Sequence, residues 1–189
     1  MSLIELKDNL SDVKSTMLGA LNQAGNDKRS AFRYIILNTI SEGIPNTRYV
    51  VLRKFKTDSQ ELFIFTDYRS NKIREIKENP FASVLAYDQQ NKCQIKLKGK
   101  INIHHQDEIA DDLWDSVEDG QESYNTKSQP GKKVDSLNDA HQMKNDYDDK
   151  YFAVLIMKVS KAEILQLKGD GHIRAFLDFE SDESSYLVP

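Results

Sequence analysis

The chain has 189 residues, of which 39% are hydrophobic and 30% charged, and its formal net charge is −4. This length and composition predict a single globular domain, residues 1–189, with a hydrophobic core and a well-solvated surface. The acidic balance argues against nucleic-acid binding, and no apolar run approaches the roughly 20 residues that cross a bilayer, so no membrane association is expected. The single cysteine, Cys93, allows no intrachain disulfide. Because the first residues also lack an apolar leader, the expected location is the cytoplasm.

In the first half of the chain, the pattern of apolar residues predicts one helix, four strands and a second helix. Apolar side chains spaced four apart over residues 8–21 are typical of an amphipathic helix, within an N-terminal helical segment at 1–25. Runs rich in β-branched and aromatic residues predict strands, and a turn at 41–47 predicts that the first two form a hairpin. The predicted strands are 31–40, 48–55, 61–66 and 81–87, and the second helix is 70–78.

The second half of the chain predicts further strands separated by helices and one long loop. Residues 93–103 alternate between apolar and polar side chains, and residues 151–159 are apolar on both faces, which is typical of a central strand. Further strands are predicted at 161–167 and 172–179, helices at about 109–117 and 136–149, and a mobile loop at 119–135. These elements predict a mainly β, antiparallel α+β fold with flanking helices, closed or partly closed into a barrel so that few strand edges are exposed.

Several cations lie where an anion could bind. Ser70 is a suitable N-cap for the second helix, and Lys72 in its first turn opposes the helix dipole unless an anion sits there. Alternatively, Lys72 extends into solvent at little cost. Arg48 and Arg53 are five residues apart, so in a flat strand they point to opposite faces, and both reach one anion only at a strand end or a bulge. Gln94, on a polar strand face, could bond a heteroaromatic ring or simply face solvent.

Five segments, in this order, resemble the pyridoxamine 5′-phosphate oxidase-like family of FMN-binding split barrels. They are 35-IILNTISEGIPNTRYVVLRKF-55, 63-FIFTDYRSNK-72, 79-NPFASVLAY-87, 94-QIKLKG-99 and 172-HIRAFLDF-179, which is followed by the closing 187-LVP-189. The resemblance covers nearly the whole chain from about residue 30. It implies an antiparallel split β-barrel, a homodimer with FMN at the subunit interface, and a small-molecule substrate.

The resemblance also implies roles for individual residues. Arg48 and Lys72 would hold the FMN phosphate, and Arg53 would lie near flavin and substrate. Gln94 would bond the isoalloxazine edge, and Arg174 would reach the flavin of the partner chain. The complete set of cofactor-binding residues that it implies is Arg48, Val50, Val51, Arg53, Phe65, Thr66, Ser70, Asn71, Lys72, Gln94 and Arg174. Asn71 stands where the family usually has a second basic residue, which weakens phosphate neutralisation.

The substrate side departs from the family pattern. The oxidase holds its substrate with a tyrosine and an arginine on the helix matching 106–118 and with an Arg-x-His pair near the C-terminus. Here that helix has no arginine, Asp170 replaces the arginine of the pair, and His172 is retained as a substrate contact. A tryptophan beside the flavin is replaced by Leu165 or Leu167. Losing charge-assisted bonds at two points predicts that vitamin B6 oxidase activity is absent or weak.

The sequence therefore predicts an FMN-dependent oxidoreductase with an unidentified small-molecule substrate. The alternatives are pyridoxamine/pyridoxine 5′-phosphate oxidase itself and a non-catalytic, stress-related flavin-binding protein. No catalytic residue is assigned. The histidines and Cys93 have no metal-like spacing, so no metal site is predicted.

Overall fold

Nine strands and four α-helices occur in the part of the chain that the computed structural model describes, residues 2–117, 120–169 and 171–189. The helices are Leu10–Asn26 (α1), Asn71–Glu78 (α2), Glu108–Trp114 (α3) and Leu137–Ala140 (α4), with a 3₁₀ turn at Gln121–Tyr124. The strands are Tyr34–Ser41 (β1), Ile44–Val51 (β2), Lys54–Lys56 (β3), Glu61–Asp67 (β4), Phe81–Asp88 (β5), Cys93–His104 (β6), Phe152–Gln166 (β7), Ile173–Asp178 (β8) and Ser184–Leu187 (β9). Asp170, predicted to repel a substrate phosphate, lies outside the described residues.

The long strand β7 organises the sheet. Its first half pairs with β4 and its second half with β8, whereas β6 pairs along nearly its whole length, all antiparallel. The sheet order is β2-β1-β5-β6-β7-β4-β3, with β8 and β9 continuing from β7. The β6–β7 register shifts between Lys98 and Gly99, where a Cβ on Gly99 would lie 2.0 Å from the carbonyl oxygen of Lys158. This bulge therefore requires glycine.

Two hydrophobic clusters hold the elements together. In α1, which opens with a capping box at Asn9, the buried face packs into the main cluster together with β1, β6 and β7. A second cluster, on the other side of β4, contains Phe63, Tyr124 and Phe152, with Trp114 packed against it. The aromatic rings of Tyr124 and Phe152 meet edge to face at 5.1 Å. Trp114 itself is only partly buried.

Most predicted elements are confirmed, but three predictions need correction. The helix predicted at 136–149 is wrong, because only Leu137–Ala140 is helical. The remainder contains Asn145, Asp146, Asp148 and Asp149, and these residue types favour caps and turns over helix interiors. The predicted loop at 119–135 contains the 3₁₀ turn, and Tyr124 and Asn125 within it are buried. The strand predicted at 48–55 is two strands, separated at Leu52 and Arg53.

Smaller differences concern element ends. The turn of the first hairpin is limited to Glu42 and Gly43, since Ile44 and Pro45 already pair with β1. The strands predicted at 151–159 and 161–167 are continuous in β7, and β9 was not predicted. Among the described residues, no helix is both long enough and apolar enough to cross a membrane.

Candidate cofactor site

Arg48 is held between strand and helix. It lies in β2 opposite Leu37, and its guanidinium donates to the hydroxyl of Thr39 and, at 2.6 Å, to a carboxylate oxygen of Glu75. The Thr39 hydroxyl donates to the same carboxylate oxygen at 2.5 Å. Glu75, on α2, is only 5% exposed. A buried carboxylate with two strong donors orients the guanidinium and balances part of its charge.

Lys72 lies in the same cluster. Its ammonium donates to the hydroxyls of Thr66, at 2.8 Å, and Ser70, at 3.1 Å. The pKa of Lys72 is lowered, chiefly by burial and next by the positive charge of Arg48, while Asp67 and Glu75 act in the opposite direction. The structure thus brings the two predicted phosphate contacts together. We call the set Thr39, Arg48, Thr66, Ser70, Lys72 and Glu75 the Arg48–Lys72 cluster.

The first turn of α2 opens beside this cluster. Ser70 occupies the N-cap position, but its side chain makes no capping hydrogen bond and accepts from the Lys72 ammonium instead. No acidic residue lies in the first turn, and Asn71 there is exposed. The helix therefore presents uncapped N–H groups and the positive end of its dipole beside two cations, which favours an anion.

Arg53 and Phe65 lie outside the Arg48–Lys72 cluster. Arg53 is between the end of β2 and the start of β3, and its guanidinium lies 5.6 Å from the centroid of the Phe65 ring. Phe65 and Thr66 are consecutive in β4 and so point to opposite faces: Phe65 packs against the second cluster and Thr66 is buried on the other side. The predicted contacts at Arg53 and at Lys72 are therefore on opposite sides of one strand.

The two valines of the predicted set also separate. Val50 lies opposite Ile35 and packs against the main hydrophobic cluster. Val51 points to the other face, opposite the exposed Tyr34. Both side chains are half-buried, and that of Val50 packs against the main cluster.

Gln94 and Arg174 form a third group. Gln94 lies opposite Leu165 and Leu165 opposite Arg174, so the three occupy one row across β6, β7 and β8. Arg174 also donates to Glu163 at 3.0 Å. Arg48 lies opposite Leu37, Leu37 opposite Val84, and Val84 opposite Leu97. Leu97 and Arg48 are therefore on the same face of the sheet. Because Gln94 is three residues from Leu97, the row lies on the sheet face opposite to that of Arg48.

His172, the predicted substrate contact, is exposed just before β8. Its Nδ1 accepts a hydrogen bond from the backbone N–H of Lys168 at 3.1 Å. This bond closes the turn between β7 and β8, so the ring has a local structural contact independent of any ligand.

Two arginines carry buried nitrogens without a partner. Among the described side chains, the buried nitrogen or oxygen atoms that lack any hydrogen-bond partner are Nε of Arg53 and Nε of Arg174. A buried N–H left unpaired costs about 1–3 kcal/mol, so each is better satisfied by a ligand oxygen or nitrogen. Both residues belong to the predicted FMN-binding set, and the donors present therefore fit an anionic, heteroaromatic cofactor.

Residues outside the predicted set complete the site. Glu75 and Thr39 position Arg48, although no motif indicates them. Arg69 pairs with the buried Asp67 at 2.6 Å and donates to the carbonyl oxygen of Thr126 at 3.0 Å. It thereby fixes the turn before α2 to the segment after the 3₁₀ turn. The spacing of Lys72 and Glu75 at i and i+3 places them near each other on the helix, but only the fold brings Arg48 to Glu75.

Metal binding and thiol chemistry find little support in the described part of the chain. No group of three or more His, Cys, Asp or Glu residues there could hold a metal ion. Cys93 is fully buried, and burial, followed by the charge of Asp88, raises the pKa of its thiol to about 12. A thiol in that state is a core residue rather than a nucleophile.

Comparison with known sequences finds a match over about half of this chain. Residues 14–105 match the sequence model described as pyridoxamine 5′-phosphate oxidase, FMN-binding domain. Over 91 residues the chain is 35% identical to pyridoxine/pyridoxamine 5′-phosphate oxidase 2 of Arabidopsis thaliana, an alignment covering 48% of this chain and 45% of that protein. The chain thus matches less than half of the length of this curated relative.

Comparison with solved structures extends the likeness to the whole fold. A pyridoxamine 5′-phosphate oxidase-related, FMN-binding protein from Nostoc punctiforme aligns with a TM-score of 0.74 at 22% identity, covering 96% of this chain and 100% of that chain. PhzG from Burkholderia lata, solved in complex with tetrahydrophenazine-1-carboxylic acid, also gives 0.74, at 18% identity, covering 96% and 95%. At these identities the likeness concerns the fold alone.

Together the comparisons confirm the predicted resemblance. The fold is that of the FMN-binding split barrels, and residues 14–105 match the pyridoxamine 5′-phosphate oxidase FMN-binding domain. FMN is accordingly confirmed as the cofactor of the class.

Proposed function

We propose that the protein is an FMN-dependent oxidoreductase that acts on a small molecule still to be identified. The observation that carries this proposal is the Arg48–Lys72 cluster, in which two cations converge at the uncapped N-terminus of α2. Lys72 and the helix N-terminus would bind the FMN phosphate, with Arg48 as a second cation oriented by Glu75. The Ser70 and Thr66 hydroxyls, which now accept from Lys72, would turn to phosphate oxygens, and Asn71 would lie beside them.

The remaining residues of the set would orient the ring system. Bound FMN supplies hydride exchange through its flavin ring, so the protein needs no obligatory side-chain base. Phe65 would pack against the cofactor, and Arg53 offers its unpaired Nε to a ring or substrate oxygen. Gln94 can both donate to and accept from the ring edge. Val50 and Val51 would contribute backbone and packing contacts rather than polar ones.

We also propose that the protein is a homodimer in the cytoplasm. Within one chain, Gln94 and Arg174 lie on the sheet face opposite to Arg48, so one copy alone does not assemble the full set. The face that carries Gln94 also exposes large apolar side chains, including Tyr49 at 72% and Phe81 at 65% exposure. Such a patch is typical of an interface. Light scattering should give twice the chain mass for the native protein and a shift towards monomer for Tyr49→Lys.

The absorption spectrum of the purified protein tests the proposed function. We expect a yellow protein with bound FMN whose flavin is bleached by NADPH or NADH and reoxidised by an acceptor. Pyridoxamine 5′-phosphate should be turned over weakly or not at all. Efficient turnover would identify the protein as pyridoxamine 5′-phosphate oxidase itself, whereas a yellow protein that no reductant or amine changes would be non-catalytic. A colourless protein without FMN affinity would contradict the proposal.

A further inference from the structure

The turn between β4 and α2 is held by one arginine. The Arg69 guanidinium donates to both carboxylate oxygens of Asp67, at 3.0 Å from Nε and at 2.6 Å from Nη2. Its Nη1 donates to the carbonyl oxygen of Thr126 at 3.0 Å, and Nη2 also donates to the Thr126 hydroxyl at 3.2 Å. The guanidinium carbon lies 3.7 Å from the centroid of the Tyr151 ring. We call the set Asp67, Arg69, Thr126 and Tyr151 the Arg69 clasp.

The Arg69 clasp is largely buried and geometrically specific. The side chain of Arg69 is 14% exposed and that of Asp67 only 4%. A bidentate pair of guanidinium and carboxylate fixes both groups in one geometry, and the contact with the Tyr151 ring adds a cation–π interaction. Arg69 thereby joins three parts of the chain that are far apart in sequence, namely the end of β4, the segment after the 3₁₀ turn and the residue before β7.

The clasp lies directly before the first turn of α2. Arg69 precedes Ser70, the N-cap residue whose side chain makes no capping hydrogen bond, and no acidic residue lies in the first turn. The start of this helix therefore lacks the usual local stabilisation. Its position is fixed instead by the contacts of Arg69 and by the hydrogen bond from the backbone N–H of Tyr68 to the carbonyl oxygen of Tyr151, at 2.7 Å.

The segment after Thr126 passes close to the same turn. A Cβ on Gly131 would lie 3.7 Å from Nδ2 of Asn71, in the first turn of α2. The Thr126 hydroxyl donates to the carbonyl oxygen of Ser128 at 2.8 Å, so the residue that receives the guanidinium also shapes the start of this segment. The clasp therefore holds residues 126–131 beside the uncapped helix N-terminus.

We propose that Arg69 is a positioning residue for the cofactor phosphate, and that its clasp sets how strongly the site prefers FMN over riboflavin. Arg69 acts through α2, because the clasp keeps the backbone N–H groups of the first turn and Lys72 in place before the anion arrives. Such preorganisation lowers the entropy cost of binding. This inference rests on the proposed function, since it takes the N-terminus of α2 as the phosphate site.

The test compares FMN with riboflavin, which carries the same ring system without the phosphate. Both are titrated by fluorescence into cofactor-free wild type, Arg69→Met, Thr126→Val and Thr126→Ser, at a temperature where each remains folded, and FMN dissociation is followed after rapid dilution. Arg74→Met is the matched control, because Arg74 lies on α2 with a side chain that is 69% exposed. Urea unfolding is recorded for each variant. Thr126→Val carries the test if Arg69→Met, which leaves Asp67 unpaired, fails to fold.

We expect Arg69→Met to weaken FMN binding at least tenfold, through faster dissociation, and to change riboflavin binding by less than about twofold. Thr126→Val should lose about threefold in FMN affinity alone, because one hydrogen bond of the clasp is removed. Thr126→Ser, which retains the hydroxyl, should match wild type, as should Arg74→Met.

The inference is overturned if folded Arg69→Met and Thr126→Val bind FMN like Arg74→Met. It is also overturned if the affinities for FMN and riboflavin fall equally, as they would after general destabilisation, or if wild type does not prefer FMN to riboflavin. The proposed function is judged on wild type alone. If wild type binds no FMN, the proposed function fails and the inference fails with it.

Discussion

The Arg48–Lys72 cluster and the pair Arg33 and Arg53 both gather positive charge, but on opposite sides of β4 and with different contacts. In the cluster, Arg48 is paired with the buried Glu75 and Lys72 donates to two hydroxyls. In the second group, Nη1 of Arg33 donates to two backbone carbonyl oxygens, and Nε of Arg53 has no partner among the described residues. The first group therefore contains a carboxylate that balances part of its charge, whereas no carboxylate among the described residues pairs with Arg33 or Arg53.

This difference bears on how the two sites would select their ligands. A preorganised cluster binds an anion without first ordering its side chains, which suits a permanently bound cofactor. A pair of cations without a carboxylate partner would gain more from a charged ligand than from a neutral one. The charge of Glu75 also limits the Arg48–Lys72 cluster to a modest net positive charge, consistent with Asn71 in place of a second basic residue.

The largest expected effect comes from reversing the charge of Lys72. Lys72→Glu should weaken FMN binding by at least about 2 kcal/mol, which is about 30-fold, because it replaces a charge-assisted donor by a repelling carboxylate. Arg48→Ala should act in the same direction with a similar size. Fluorescence titration of FMN into each cofactor-free variant measures both effects.

Lys77→Glu is the matched control, since Lys77 carries the same charge change on the exposed side of α2. It should leave FMN affinity within about twofold, because exposed charges are screened. Unchanged affinity in both Lys72→Glu and Arg48→Ala would contradict the placement of the phosphate at this cluster.

The same contrast shows how much the sequence could predict. Most strands and α2 follow from local patterns, such as the alternation in β6, and these are confirmed, whereas the break within 48–55 and β9 do not follow from such patterns. Lys72 in a first turn without acids is a local signal as well, so the cluster could be located from sequence. Its partner Glu75 could not be assigned to Arg48, because that contact depends on how α2 packs across the β1–β2 hairpin.

The proximity of Arg33, Lys28 and Arg53 around one cavity has no sequence signal for a related reason. Arg33 precedes β1, Lys28 follows α1 and Arg53 sits in the break between β2 and β3. These residues meet only because the end of α1 approaches β3 so closely that a Cβ on Gly25 would lie 2.9 Å from the Cα of Lys54. The break itself was also missed, since 48–55 reads as one strand when cross-strand pairing is unknown.

Replacing Glu75 tests how its charge affects Arg48 and the cofactor. Glu75→Gln retains the shape of the side chain but leaves Arg48 without its carboxylate, so the free energy of unfolding should fall by about 1–2 kcal/mol. FMN affinity should rise severalfold, because the freed guanidinium then pairs with phosphate alone. Urea unfolding and FMN titration measure the two effects.

Glu78→Gln serves as the control for this variant, because Glu78 lies on the same helix with an exposed side chain. Little change is expected there in either measurement. If Glu75→Gln instead weakens FMN binding, Glu75 is required to orient Arg48, and its role in limiting the charge of the cluster is wrong.

The smallest expected effect distinguishes the destabilisation that the Lys72 charge causes in the cofactor-free protein from the contribution of Lys72 to FMN binding. Burial and Arg48 lower the pKa of Lys72 from the ordinary 10.5, so its charge destabilises the folded, cofactor-free chain at neutral pH. Lys72→Met should therefore raise the free energy of unfolding by about 0.5 kcal/mol while weakening FMN binding. The Thr66 and Ser70 hydroxyls, 3.4 Å apart, can then bond each other.

The pH dependence of this stability gain shows whether the folded protein disfavours or favours the charged form of Lys72. Between the lowered pKa of folded Lys72 and 10.5, the unfolded chain retains a proton that the folded chain has lost, so wild-type stability rises with pH across this window. The advantage of Lys72→Met is therefore fully present at neutral pH and shrinks as the pH approaches 10.5. Urea unfolding of both proteins at pH 7 and at several pH values up to 10.5 measures the difference. An advantage that grows with pH would mean that the folded site favours the charged form of Lys72. In that case the attraction of Glu75 would outweigh burial and the repulsion of Arg48.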